Sequence, residues 1–326
     1  VSTGAFLRHC AVIRKALNIC VLGGTGFVGT ELVTRLVDEG HAVRVPTRRL
    51  ALGNHLKVLP TLELLARNIH EPRILAQLFE GMDVIINLVG ILNESGRSTF
   101  RSVHTELAAK VVETMRTQRV PRLLHMSSLC AGTQAPSQYL RTKGEAEALV
   151  RAAPAIDATV FRPSVIFGPR DSLTNRFTRL LRMSGGFLPL ARPHARFAPI
   201  YVYDVVEAFV RALDEHDTAG KSYDLCGPDV MTLEELVRLT ATTAGLRCHI
   251  LPLPDFVARL QAFVMDFVPG KPFSTDNYRS LTVDSVCQTS GCASLGIQPA
   301  RMEAVLPGYL GHTNLQQQLD EFRRSH

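Results

Sequence analysis

Nowhere does the 326-residue chain approach the roughly 20 consecutive apolar residues that a membrane-spanning helix needs, so a helical integral membrane protein is excluded. It also has no run of five or more Lys or Arg. The net charge of +6 and pI near 9.1 favour anionic partners such as phosphates or an acidic membrane surface, but scattered arginines leave no nucleic-acid footprint. The seven cysteines (Cys10, Cys20, Cys130, Cys226, Cys248, Cys287 and Cys292) contain no Cys-x-x-Cys pair. Their odd number and irregular spacing read as reduced structural thiols in an intracellular compartment. Cys287 and Cys292 lack histidines at ligand spacing, and no metal is expected. Repeats and low-complexity tracts are absent too. The first 17 residues hold Arg8, Arg14 and Lys15 without an acid, yet lack the apolar core of a secretory signal. They read as a loose N-terminal extension, with a degenerate organellar presequence as the alternative.

What is present is an ordinary globular composition, 46% apolar and 20% charged, which excludes a disordered or collagen-like chain. The first half alternates short apolar runs with amphipathic stretches, the pattern of a parallel sheet wrapped by helices. Strands are expected at 18–22, 42–45, 62–66, 84–88, 123–126 and 159–161, and helices at 27–39, 72–79, 100–118 and 138–152. The strands are continuous apolar runs, as expected when both sheet faces are covered. Past Gly168-Pro169 the pattern loosens through a Gly- and Pro-rich segment, 184–199. An aromatic strand at 200–204, a helix through Leu213 and a further strand at 222–226 follow. Thr232 and Glu235 form a capping box at the start of the next helix. The expected organisation is α/β: an N-terminal extension (1–17), a Rossmann-type doubly wound parallel sheet (18–168), and a smaller, mostly helical C-terminal lobe (169–326). Residues 200–226 would return to the sheet.

Gly23-Gly24-Thr25-Gly26-Phe27-Val28-Gly29 follows the first strand and enters the first helix. In such a turn one glycine permits the tight bend, another lets the backbone approach a pyrophosphate, and the last lets helix pack on strand. The phosphates then sit at the positive helix N-terminus. The strand–turn–helix context makes this a dinucleotide site rather than a purely structural turn. The second strand ends Val45-Pro46-Thr47-Arg48-Arg49, with no acid to grip the adenosine ribose. Two guanidinium groups there suit a 2′-phosphate, favouring NADP(H) over NAD(H). Pro46 is unusual within a strand and bears on which arginine makes the contact.

Tyr139 and Lys143 are spaced i, i+4, so hydroxyl and ammonium share one helix face. A neighbouring cation stabilises a phenolate, lowers the tyrosine pKa and makes it a usable acid or base for a carbonyl or alcohol. Ser127-Ser128 ends the fifth strand, on the carboxyl edge where ligands bind in such folds, and could hold the substrate oxygen beside Tyr139.

Together these residues resemble the extended and atypical short-chain dehydrogenase/reductases, and within them the NADPH-binding accessory subunit family of respiratory complex I and its bacterial homologues. Tyr139–Glu145, Pro163–Gly168, Ile200–Val205 and Leu295–Ile297 are similar to that family's segments in order, over about residues 18 to 310. The resemblance implies nucleotide contacts from Gly23, Thr25, Gly26, Phe27, Val28 and Gly29, and from Arg48 and Arg49. It implies adenine contacts from Asn68 and Ile69, and cofactor-lining roles for Leu88, Val89, Gly90 and Ser127. Tyr139 and Lys143 would face the nicotinamide ribose, and Pro163, Ser164 and Val165 the nicotinamide amide. The catalytic set would be Ser128, Tyr139 and Lys143. His104 stands where many of the superfamily carry asparagine, which puts a proton relay through that position in doubt. In the complex I relatives NADPH is a structural cofactor.

Two functions follow. One is a binding and assembly protein that holds NADPH as a structural or redox-sensing ligand, its C-terminal lobe meeting respiratory-chain subunits or a membrane surface. The other is an NADPH-dependent oxidoreductase, or a sugar-nucleotide epimerase or dehydratase. An open basic cleft over the nicotinamide, with Arg170, Arg176 and Arg196 as candidate phosphate contacts, would support the second, and a pocket too closed for a sugar nucleotide the first. The location implied is cytoplasmic, or peripheral at the inner membrane (the mitochondrial matrix in a eukaryote). Phe256, Val257, Leu260, Phe263, Val264 and Phe267 form one apolar helix face, expected to be buried in the small lobe, with docking to a membrane or partner as the alternative. Asp204 is expected to cap the helix that follows it.

Overall fold

The structure, a computed structural model, describes residues 16–96, 98–268 and 271–310. All but the last two residues of the expected N-terminal extension lie outside that range. In chain order the first elements are β1 (Asn18–Leu22), α1 (Phe27–Asp38), β2 (Ala42–Thr47), β3 (Leu62–Ala66), α2 (Pro72–Phe79) and β4 (Val84–Asn87). A π-helical stretch (Arg101–Glu106) leads into α3 (Leu107–Gln118), followed by β5 (Arg122–Met126), α4 (Gln138–Arg151) and β6 (Asp157–Pro163).

These strands, with β11 (Ser222–Leu225) from later in the chain, form a seven-stranded parallel sheet in the order β11-β6-β5-β4-β1-β2-β3. The period of two in each strand sends alternate side chains to opposite layers. Ile19 and Val21 of β1 with Val84 and Ile86 of β4 meet Leu32, Val33 and Leu36 of α1. Cys20, Leu22 and Ile85 meet Leu75 and Phe79 of α2 and Val111 and Met115 of α3 on the other side. Both faces are thus dry, which is why the strands read as continuous apolar runs. Pro46 is tolerated because β1 pairs with β2 only through Arg44, so its missing N–H costs no ladder bond on that side. The order reverses between β1 and β4, and that switch point opens the crevice at the carboxyl edge.

Past β6 come β7 (Ile166–Phe167), α5 (Leu173–Met183), β8 (Phe187–Leu190), β9 (Arg196–Phe197), β10 (Ile200–Tyr201), α6 (Val202–Asp214) and β11 (Ser222–Leu225). Then follow β12 (Met231–Thr232), α7 (Leu233–Thr243), β13 (His249–Pro252), α8 (Asp255–Met265), α9 (Thr275–Ser280) and the short helices α10 (Gly291–Ser294), α11 (Met302–Val305) and α12 (Pro307–Leu310). β11 joins the far edge of the main sheet beside β6, and α6 packs against the α1 face. The small lobe has its own core, where Leu181, Leu188, Leu190, Phe197 and Val237 meet. The Thr232–Glu235 capping box opens α7.

Three expectations are corrected. Cys226 is not a free thiol: β11 delivers it to Cys287, and the two form a disulfide across 61 residues of sequence. Cys20, Cys130, Cys248 and Cys292 remain thiols. The apolar face of α8 is not buried. Only Ala258 and Ala262 of that helix are, while Phe256 and Phe267 are 74% and 76% exposed. The small side chains are the ones that allow close packing on the body of the lobe. Asp204 does not cap α6, whose N-cap is Tyr201; its carboxylate instead accepts the Ala300 N–H at 2.8 Å.

Candidate functional site

At the carboxyl edge of the sheet, under the small lobe, lies a cavity of about 950 Å³. The glycine turn forms its floor. Gly23 sits at φ +83, a left-handed backbone favoured by glycine, and its carbonyl accepts the Gly26 N–H at 3.0 Å. A Cβ on Gly29 would collide with that carbonyl oxygen, and one on Gly24 would reach 2.9 Å from Val45. The turn therefore needs glycine for close packing of α1 on the sheet. No side chain caps α1, which leaves its first N–H groups free for an anion.

Gly23, Thr25, Gly26, Phe27, Val28, Gly29, Arg48, Ile69, Leu88, Val89, Gly90, Ser127, Ser128, Tyr139, Lys143, Pro163, Ser164 and Val165 all line the cavity. Arg49 and Asn68 do not. The Thr47 hydroxyl accepts the Arg49 N–H at 3.3 Å and turns the chain into a 3-10 stretch, Leu50–Leu56. The Asn68 amide donates to Glu71 at 2.8 Å in the turn before α2. The arginine that joins Arg48 at the cavity is Arg67, which sequence reasoning missed. Arg67 follows β3, the parallel neighbour of β2, and its N–H donates to the Thr47 carbonyl at 3.0 Å, a pairing that only the sheet register reveals.

On α4 the Tyr139 hydroxyl faces the cavity beside Ser128, whose own hydroxyl donates to the Leu129 carbonyl at 3.3 Å. Burial pushes the Tyr139 pKa up; the nearby Ser128 hydroxyl opposes this and Asp276 adds to it, so the hydroxyl keeps its proton at neutral pH. The sequence pattern suggested a lowered value through Lys143. The Lys143 ammonium is instead held by the Met126 carbonyl at 2.9 Å and the Val89 carbonyl at 3.3 Å. Burial lowers the Lys143 pKa to about 8. Asp276 of α9 accepts the Gln138 and Tyr139 backbone N–H groups at 2.6 and 3.0 Å, anchoring the start of α4 from a distant segment that no local motif announces.

The π-helical stretch turns His104 onto Tyr139, ring centroids 5.5 Å apart. Its Nε2 accepts the Ile91 N–H at 3.2 Å, which places the proton on Nδ1, donated to Thr142 Oγ1 at 2.9 Å. Burial, with Lys143 and His125 nearby, lowers its pKa to about 2. With Nε2 engaged by the backbone and the ring neutral, the ring is not available as a relay to Tyr139.

The residues fit a dinucleotide. The turn has no room for side chains, α1 offers bare N–H groups, Arg48 is exposed at the second-strand end, and Ser127 Oγ is buried at the cavity wall with no protein partner. On the opposite wall Ser164 Oγ donates to the Ser285 carbonyl at 2.7 Å, tying β6 to a strap that runs to Cys287.

The glycine turn at the switch point of a parallel seven-stranded sheet, with serine, tyrosine and lysine beside it, defines a short-chain dehydrogenase/reductase of Rossmann type. The profile described as "NAD dependent epimerase/dehydratase family" matches residues 19–226, and the chain belongs to that family. It is 31% identical over 283 residues to the mitochondrial NADH dehydrogenase (ubiquinone) 1 alpha subcomplex subunit 9 of Arabidopsis thaliana, covering 82% of this chain and 70% of that one. The Mus musculus protein of that name is 29% identical over 87% of this chain and 77% of its own length. Among solved structures, a nucleoside-diphosphate-sugar epimerase from Staphylococcus aureus superposes with a TM-score of 0.72 at 18% identity. The superposition covers 89% of this chain and all of that one, a likeness of fold alone.

Proposed function

We propose that the protein binds NADP(H) in this cavity. We further propose that, like the mitochondrial relatives named as NADH dehydrogenase subunits, it serves as a dinucleotide-holding component of a respiratory assembly. It would lie peripheral to the inner membrane, with residues from 169 onward as the partner lobe. The likeness to those subunits over more than four-fifths of the chain carries this reading. The absence of an acid after β2 and the two guanidinium groups of Arg48 and Arg67 support the phosphorylated dinucleotide.

In this reading the first turn of α1 and Gly23–Gly29 hold the pyrophosphate, Arg48 and Arg67 the 2′-phosphate, and Ser127 a ligand polar group. Lys143 and Tyr139 would face the nicotinamide ribose and Pro163–Val165 the amide. When bound, the dinucleotide supplies a hydride. Tyr139 holds a proton at its hydroxyl, with the Ser128 hydroxyl beside it. Lys143 is largely charged at neutral pH, since its pKa of about 8 lies above it. That intact grouping favours a second reading, a reductase in which Ser128, Tyr139 and Lys143 are catalytic.

The test is to purify the protein without added nucleotide, denature it and identify what is released. NADP(H) near one per chain that stays reduced against a panel of carbonyl compounds supports the holding role. NADH instead would overturn the cofactor assignment, and oxidation by one carbonyl class would move the conclusion to the reductase. Arg48→Ala is expected to weaken NADPH about tenfold or more relative to NADH, the worth of one hydrogen bond to a charged group. Arg49→Ala should stay within about twofold. Equal loss of both cofactors on Arg48→Ala would remove it from the 2′-phosphate.

A further inference from the structure

The cavity is larger than the crevice around the glycine turn, and its far half is walled by the small lobe. We propose that this half binds a neutral, largely hydrocarbon chain that presents one oxygen function, a carbonyl or a hydroxyl, to Tyr139 and Ser128. The inference rests on the reading that a dinucleotide occupies the Rossmann side.

The argument is one of charge and solvation. Leu180, Phe187, Leu190, Met265, Phe273 and Leu281 converge on this half from α5, β8, α8 and the segments around α9. Among the described residues, Arg176 is the single charged side chain that the wall from residue 172 onward contributes. It is already engaged, donating to the Pro272 carbonyl at 2.8 Å. Arg170, which reaches the cavity nearer the cofactor side, is neutralised by Glu31 at 2.7 Å. Arg196 does not line the cavity at all. One guanidinium, shared with a backbone carbonyl, is less than a basic cleft, and a diphosphate with its roughly two negative charges would be desolvated against leucine and phenylalanine at high cost. Among the neutral polar groups of this wall, Asn277 closes the capping box of α9 and donates to the Leu92 carbonyl, and Ser184 donates to the Leu181 carbonyl at 3.4 Å. At the other end Ser128 and Tyr139 place two hydroxyls side by side on the cavity wall. One polar end and a long apolar wall select a chain with a single oxygen at its tip.

The experiment is calorimetric titration of the dinucleotide-loaded protein with 2-heptanone, 2-nonanone, 2-undecanone and 2-tridecanone, and separately with UDP-glucose. Affinity is expected to rise about fourfold per buried methylene until the space is filled, with no binding of UDP-glucose. Leu180→Glu and Met265→Glu should each weaken 2-undecanone at least tenfold while leaving dinucleotide retention within about twofold, which also reports that the fold is intact. A series flat in chain length, or UDP-glucose binding tighter than every ketone, overturns the inference. If the ketone series behaves as expected but no dinucleotide is retained, it is the cofactor reading that falls instead.

Discussion

His104 and His125 are neutral imidazoles built into the interior beside Lys143. Burial, reinforced by that ammonium, lowers them to about 2 and about 3, against 6.5 for an ordinary histidine. The unfolded chain therefore binds more protons than the folded one below pH 6.5. Stability is complete above that value and declines as pH falls through the window beneath it, by about 1.4 kcal/mol per pH unit for each histidine. Urea unfolding between pH 7.5 and 5 should show a slope approaching twice that figure, and His104→Asn should remove about half of it. A slope unchanged by the substitution would mean that His104 titrates normally. Sequence showed that position 104 was unusual, but not that Ile91 and Thr142 would engage both ring nitrogens. Arg67 was hidden for a related reason: its neighbour across the sheet is Thr47, twenty residues earlier.

At the scale of elements, the Rossmann half was legible nearly residue by residue. Strands 18–22 and 62–66 and helix 72–79 match their observed bounds, because local apolar runs and glycine punctuation decide them. Helix α8 was legible as a helix but not in its packing. An apolar stripe reports that a face wants cover, not whether the chain supplies it. Since Phe263 and Phe267 meet edge to face in solvent, replacing both by serine should change the unfolding free energy by less than about 1 kcal/mol. Burial in the lobe would have made the same change cost about 3 kcal/mol or more for each ring. Chemical denaturation of the double variant decides between the two. Where function is concerned, glycine turn and Tyr-x-x-x-Lys were readable because each is a short-range device. The apolar half-cavity was not, because α5, β8, α8 and α9 must first be brought together.

Taken whole, the molecule is a parallel sheet with a smaller lobe fastened beside the cavity by contacts that include the Asp276 bonds to α4, the Ser164–Ser285 hydrogen bond and the Cys226–Cys287 disulfide. A cross-link spanning 61 residues restricts the unfolded chain, a contribution of about 4 kcal/mol in the loop-entropy account. Reduction with dithiothreitol should lower the urea midpoint accordingly, and Cys287→Ser should show the lower midpoint with or without reductant. An unchanged midpoint would mean that the two cysteines are not joined in the purified protein. The same bond makes residues 226 to 287 a covalent ring that includes exposed α8. A protease that nicks that ring once would release nothing: the cut molecule would run as one band on a gel without reductant and fall into two pieces with it.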